Sequence, residues 1–320
     1  MYQDKCVLLI AGGGTLGTKV AEELLQLGAA VEVVCPEEKV SHHPRLTFHQ
    51  SIATEEYLQE LFSKKRYSGI VNFIHYKEAE DYKKIHPLLM ANTDHLIFLS
   101  SYRVYGDAQH PITESAPQLE KLICDPYFQE NEKYAVPKSR CEDYLRTECA
   151  GENWTIVRPV ISFSDRRLDL LLYSRDRVLQ EAQAGTELLL PEMVRNFTAG
   201  WDWSGNTGKL IAHLLFKESA IGESYTIYSG HGLTWGEVAG LYTKLIGLKV
   251  RWCSEEEYLD YHRVLKEKEL MHWAWIYDRR YNRDVDCTKV LQTTGLTKKD
   301  FTSPEAALRY EIEKRKQWEE

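Results

Sequence analysis

The chain predicts an α/β fold built on a parallel, doubly wound sheet, and three observations carry that expectation. An apolar run from Cys6 to Ile10 ends in the glycine-rich turn Ala11-Gly12-Gly13-Gly14-Thr15-Leu16-Gly17. An amphipathic segment with Val20, Ala21, Leu24, Leu25 and Leu27 follows, and a second apolar run from Ala30 to Val34 closes a strand–helix–strand unit. Strand-like and helix-like stretches then alternate as far as Leu99, a pattern that folds as parallel strands with helices on both faces.

Gly12, Gly14 and Gly17 fit G-x-G-x-x-G at a strand-to-helix turn. With no side chains there, a pyrophosphate can lie against the free N–H groups of the helix start. The second strand ends in Cys35-Pro36, where an acidic partner for the adenosine ribose is usual. Glu37 and Glu38 follow and Lys39 is near, so NAD and NADP both stay open, with a lean to NAD.

A third strand is expected around Leu46-Thr47-Phe48 and a helix from Thr54 to Phe62 with Thr54 as its N-cap. A fourth strand spans Gly69 to Ile74, a short helix runs through Ile85, Leu88, Leu89 and Met90, and a fifth strand covers His95 to Leu99. Ligands of such sheets lie at the carboxyl ends of the strands, which makes Ser100 and Ser101 candidates to bond a substrate oxygen. Further on, Tyr134-Ala135-Val136-Pro137-Lys138 places a phenol and an ammonium one turn apart on a helix face. The ammonium can lower the phenol from its ordinary pKa of about 10 and so make a general base. Pro137 is tolerated only in a first turn, so that helix should begin close to Tyr134.

Composition sets the class. At 320 residues, with 43% hydrophobic and 28% charged residues, the chain has ample material for a core. A net charge of −8 argues against a general nucleic-acid binder. Seven cysteines without a C-x-x-C, and eleven histidines without H-E-x-x-H, suggest neither a disulfide framework nor a metal site. The apolar run at Cys6 is too short for a signal or a span, so a cytoplasmic protein with no membrane partner is expected.

The glycine turn, Leu99-Ser100-Ser101 leading to Val104-Tyr105-Gly106-Asp107, Ile112-Thr113-Glu114 and Tyr134-x-x-x-Lys138 together resemble the extended (atypical) short-chain dehydrogenases/reductases, the NAD-dependent epimerase/dehydratase group. The likeness covers roughly residues 5 to 250, including the strand Asn153 to Pro159 with its Arg-Pro ending and the segment from Gly222 to Val238. It implies a Rossmann-type domain over residues 1–160 and a smaller, mainly substrate-binding α/β domain over residues 161–320, with some later segments returning to the first. The same resemblance makes Tyr134 the acid/base, Lys138 its activator and nicotinamide-ribose ligand, and Ser101 the hydroxyl that completes the set, with Ser100 as fallback. NAD, with NADP as the alternative, would be held by Gly12, Gly14, Thr15, Leu16, Gly17, Cys35, Ser51, Ile52, Ser100, Tyr134 and Lys138.

The implied reaction is oxidation of a sugar hydroxyl, that of a nucleotide sugar, by an epimerase or dehydrogenase. A homodimer formed through the Tyr-bearing helix and its neighbour is also implied. Tyr102-Arg103 stand where the family's dehydratases often carry Asp-Glu, which disfavours dehydration. The other readings are an NADP-dependent carbonyl reductase and a non-catalytic dinucleotide sensor. Departures from the pattern fall at Ala11, in the place of a glycine, and at Cys35 and Ser51, in the places of acidic residues. Gln118 to Asn131 reads as an inserted loop. Arg166, Arg167, Arg175 and Arg177 lie where the family often binds phosphate, while Trp201, Trp203 and Trp273 to Tyr277 read as packing, or as a stacking surface for a ring. The charged stretch from Tyr310 to Glu320 reads as a solvated terminal helix.

Overall fold

In the computed structural model, which describes residues 1–261 and 269–319, the apolar runs become seven parallel strands of one sheet. They are β1 (Cys6–Ile10), β2 (Ala30–Cys35), β3 (Leu46–Gln50), β4 (Tyr67–Asn72), β5 (Thr93–Leu99), β6 (Trp154–Pro159) and, further along the chain, the strand Glu223–Ile227. From one edge to the other the order is Glu223–Ile227, β6, β5, β4, β1, β2, β3. The winding reverses between β1 and β4, so a crevice opens at their carboxyl ends. The glycine turn follows β1 and Ser100-Ser101 follows β5, which brings both to that edge.

Both faces of the sheet are covered, as continuous apolar strands require. On one side lie α1 (Thr15–Gln26) and the helix Ser204–Leu214, on the other α2 (Glu55–Lys64), α3 (Ala79–Ala91) and, further along the chain, the helix Ala135–Thr147. Beyond the sheet edge, β7 (Ile161–Phe163) pairs with Trp201–Trp203, and β8 (Glu187–Pro191) pairs with Lys249–Cys253.

Three details differ from the sequence reading. The helix before β5 is a full 13 residues, because its first turns are polar outside and bury Ala79, Tyr82, Ile85 and His86 on one face. The inserted loop contains two short helices, α4 (Leu119–Leu122) and α5 (Pro126–Asn131), whose Phe128 packs on Trp273 at 5.5 Å between ring centroids. The terminal helix starts at Pro304 and its first half is packed, with Ala307 and Leu308 fully buried and Glu311 accepting from Trp203 Nε1 at 2.7 Å. The packing reading of the tryptophans agrees with the structure at three of them: Trp201 stacks on Phe163 at 4.0 Å, and Trp201, Trp273 and Trp275 are buried.

One ion pair fixes the Tyr-bearing helix, α6 (Ala135–Thr147), to the sheet. Glu142 on α6 and Arg158 on β6 are both buried and meet side-on, Nε to Oε1 at 2.9 Å and Nη2 to Oε2 at 2.5 Å. Arg146 Nη2 and Gln118 Nε2 also donate to Oε2, so the carboxylate is fully partnered. Burial would raise the Glu142 carboxyl, yet Arg158, Arg146 and the nearby Ser100 hydroxyl outweigh it and hold it below its usual range. Glu142→Gln leaves Arg158 buried without its countercharge. It should cost about 3–5 kcal/mol, read as a lower urea midpoint with an unchanged denaturant slope.

Candidate active site

The glycine turn is tight for a reason visible in the coordinates. A Cβ at Gly17 would lie 2.2 Å from the Gly12 carbonyl oxygen, so only glycine lets α1 approach β1 this closely. Gly14, by contrast, faces open space, and as the N-cap of α1 it offers no side chain to the free N–H groups behind it. Ala11, at φ 56°, occupies the left-handed region where alanine costs about 1–2 kcal/mol relative to its preferred wells.

Beyond β2, Cys35 and Glu37 both lie against the glycine turn. Cys35 is buried and its thiol points to the Glu37 carbonyl at 3.6 Å, while Ser51 N–H donates to the Cys35 carbonyl at 2.9 Å. A Cβ on Gly13 would meet the Cys35 Cβ and the Glu37 Oε2, each at 2.7 Å. Lys39 Nζ and Arg166 Nη1 both donate to the Gly13 carbonyl, at 2.5 and 3.3 Å. Ile52, 70% exposed just beyond β3, presents apolar surface to solvent.

At the end of β5 the expected set comes together. Glu132 Oε2 accepts from the N–H groups of Tyr134, Ala135 and Val136 at 3.0, 2.6 and 3.0 Å, and Pro137, which has no N–H, follows in the first turn. A buried carboxylate thus starts α6 at Ala135, where the proline required. Lys138 is buried on the next turn, donating to the Leu99 carbonyl at 2.7 Å with its ammonium 5.6 Å from the centre of the Tyr134 ring. Burial pushes the Lys138 ammonium below its ordinary pKa, against the opposing pull of Tyr134, Cys141 and Glu142.

The phenol responds to this surrounding charge. Burial alone would raise Tyr134, but Lys138, Arg103, the Ser101 hydroxyl and Arg167 together bring it below its ordinary value. Arg103 lies over the ring, its guanidinium carbon 4.6 Å from the centroid, and His75 flanks the ring at 5.2 Å. Burial and the Lys138 charge lower the His75 pKa, which keeps that imidazole neutral near pH 7. Ser101 and Ser100 separate here: Ser101 neighbours the phenol, whereas Ser100 faces Glu142.

Behind Arg103 is a buried polar network that sequence reasoning missed. Asp278 and Arg279 sit on a π-helical turn, Trp275–Arg279, a local distortion common at functional sites. Asp278 accepts from Tyr102 Oη at 2.6 Å and from Arg283 Nε at 3.1 Å, and it is paired with Arg279. Burial would raise its carboxyl, and Arg279, Arg283 and Arg103 hold it low. The visible signal was Tyr102-Arg103 next to Ser101, in a segment otherwise resembling its family, and the Asp-Arg-Arg run 278–280. Of the four arginines considered as phosphate ligands, Arg166 reaches the glycine turn and Arg167, paired with Asp169, adds to the field at Tyr134. Arg175 and Arg177 bond Asp165 and Tyr261 instead.

A parallel sheet with an uncapped helix start after β1 and a Ser–Tyr–Lys set after β5 defines a dinucleotide-binding α/β protein. A profile of the NAD dependent epimerase/dehydratase family matches residues 8–174, and the chain belongs to that family. Among solved structures, an epimerase from Methanothermobacter thermautotrophicus has a TM-score of 0.72 at 16% identity, covering 99% of this chain and 94% of that one. The UDP-glucose 4-epimerase of Thermotoga maritima, solved with UDP-glucose, gives 0.68 at 17%, covering 98% and 100%. MoeE5, solved with UDP-glucuronic acid and NAD, gives 0.68 at 16%, covering 97% and 99%. No curated protein matches significantly. Among the described residues, no helix is long and apolar enough to cross a membrane.

The residues fit a bound dinucleotide: the open N-terminus at Gly14 suits a pyrophosphate, Glu37 a ribose diol, and Ile52 a base. Lys138→Met removes the largest charge opposing the burial of Tyr134 and leaves only Arg103, Ser101 and Arg167 to offset it, so its pKa should rise. Carbon-13 NMR of ring-labelled tyrosine checks this, with Tyr134→Phe assigning the resonance: the wild-type signal should titrate below pH 10 and the variant's at a higher pH than the wild type's.

Proposed function

We propose that the chain is an NAD-dependent epimerase or dehydrogenase that oxidises a sugar hydroxyl of a nucleotide sugar. The carrying observation is the phenol of Tyr134, held below its ordinary pKa by Lys138 and Arg103 and adjacent to the Ser101 hydroxyl. In this reading Ser101 and Tyr134 bond the substrate oxygen. Tyr134, as phenolate, takes the hydroxyl proton, and in the reverse direction returns it. Lys138 stabilises the phenolate and, tied to the Leu99 carbonyl, keeps its distance to the ring fixed. Bound NAD would supply the hydride acceptor. His75, neutral, walls one side of the phenol.

Family membership supports NAD chemistry, and the neighbours bound to UDP-glucose and to UDP-glucuronic acid with NAD support a nucleotide sugar. One feature favours a second reading, an NADP-dependent carbonyl reductase: the ammonium of Lys39 stands beside Glu37 at Gly13 and could meet a 2′-phosphate. A non-catalytic sensor is disfavoured by the joint retention of Ser101, Tyr134 and Lys138.

Thermal denaturation with NAD and NADP, followed by turnover of UDP-sugars, tests this reading. NAD should raise the melting temperature more than NADP. Tyr134→Phe should keep that shift while losing at least about a hundredfold in turnover; a fully active variant sinks the assignment. We also propose a homodimer through α3 and α6. The outward positions Glu80, Asp81, Lys84, Arg140 and Asp143 on these helices are exposed and charged. A dimer made there depends on ion pairs, so sedimentation should show it at low salt and monomer near 1 M salt, where screening is short-ranged. A species whose mass does not change with salt contradicts it.

A further inference from the structure

Arg103 is held differently from its neighbours. Arg279 Nε donates to the Leu171 carbonyl at 3.1 Å, and Arg283 donates to the carbonyls of Tyr105 and Tyr277 at 3.2 and 2.9 Å, so both are fixed by backbone as well as by Asp278. Arg103 has one hydrogen bond from its guanidinium, Nη2 to Glu132 Oε1 at 3.3 Å, and an ion-pair distance of 3.8 Å from Nε to Asp278. Its Nε is buried with no hydrogen-bond partner among the described residues.

The two carboxylates beside it are already committed. Glu132 caps three N–H groups of α6, and Asp278 receives Tyr102, Arg279 and Arg283. Three guanidinium groups face these two carboxylates, and Arg167 cancels against Asp169, so the network carries one uncompensated positive charge. Lys138 adds another, 5.6 Å from the centre of the Tyr134 ring. A buried excess charge with an unused planar donor is costly unless a counter-ion arrives.

Tyr134 cannot be the sole counter-ion, because it must alternate between phenol and phenolate to act as acid and base. The guanidinium lies over the same ring, so whatever it binds sits beside the atom that Tyr134 serves. We propose that Arg103 is the receptor for a carboxylate carried by the substrate on the carbon adjacent to the one whose hydroxyl meets Tyr134. This rests on the reading of Tyr134 as acid/base and names the substrate class as a sugar acid. A carboxylate matches the guanidinium edge and forms charge-assisted bonds there that a neutral hydroxymethyl group cannot.

Two matched pairs of probes test it. UDP-glucuronic acid and UDP-glucose differ only in the carboxylate, and malonate and malonamide repeat that contrast without needing a nucleotide subsite. Affinities for the NAD-saturated protein come from calorimetry for the first pair and concentration-dependent melting shifts for the second. The wild type should prefer each acid by about tenfold or more, the ratio set by about 1.4 kcal/mol. Arg103→Leu should bring both ratios close to one, and Arg103→Lys, which keeps the charge without the planar edge, should retain part of the preference. Equal wild-type affinities within both pairs, or a preference that survives in Arg103→Leu, overturns the proposal. If malonate is preferred and neither UDP-sugar binds, the nucleotide-sugar reading fails while the Arg103 assignment stands; if both UDP-sugars bind equally, the reverse holds.

Discussion

The site depends on two buried carboxylates that fix one helix. Glu132 sets where α6 begins, by capping the three N–H groups at its start, and Glu142 sets where it lies, by pairing with Arg158 on β6. A turn's error in the first or a small shift in the second would move Lys138 away from the Leu99 carbonyl and from the Tyr134 ring. The lowered phenol is therefore a product of helix placement. Electrostatic tuning of this kind works only when the tuning charges cannot relax.

That arrangement separates tasks along the chain. The first half supplies the crevice, the glycine turn and the Ser–Tyr–Lys set, while the second half returns the strand Glu223–Ile227 to the sheet edge and brings Asp278, Arg279 and Arg283 against the active-site wall. Arg103 joins the two, reaching Glu132 on one side and Asp278 on the other. Asp278 and Arg279, on the π-helical turn Trp275–Arg279, both meet the Tyr102 hydroxyl.

Much of the fold was legible because its signals are local. The strand–turn–helix order and the Thr54 N-cap both follow from residues a few positions apart. The start of α6 followed from Pro137 alone, but Glu132 as its cap did not, since an acidic residue two places before an N-cap has no distinctive spacing. On the adenosine side, the sequence pointed to Cys35, which does lie against Gly13, while Glu37 joins it there through a loop geometry that no motif encodes. The Asp278 network was least visible, because its members lie some 170 residues or more from Tyr102 and meet only in space.

The central claim is that one crevice holds the dinucleotide and the acid/base together, and a crystal structure of the protein with NAD tests it most directly. The account predicts the pyrophosphate against the N–H groups following Gly14, the adenine at Ile52, and the nicotinamide within contact of Tyr134, with Lys138 bonded to its ribose. A dinucleotide bound elsewhere, or a crevice that excludes it because Arg166 and Lys39 stay locked on the Gly13 carbonyl, would contradict it.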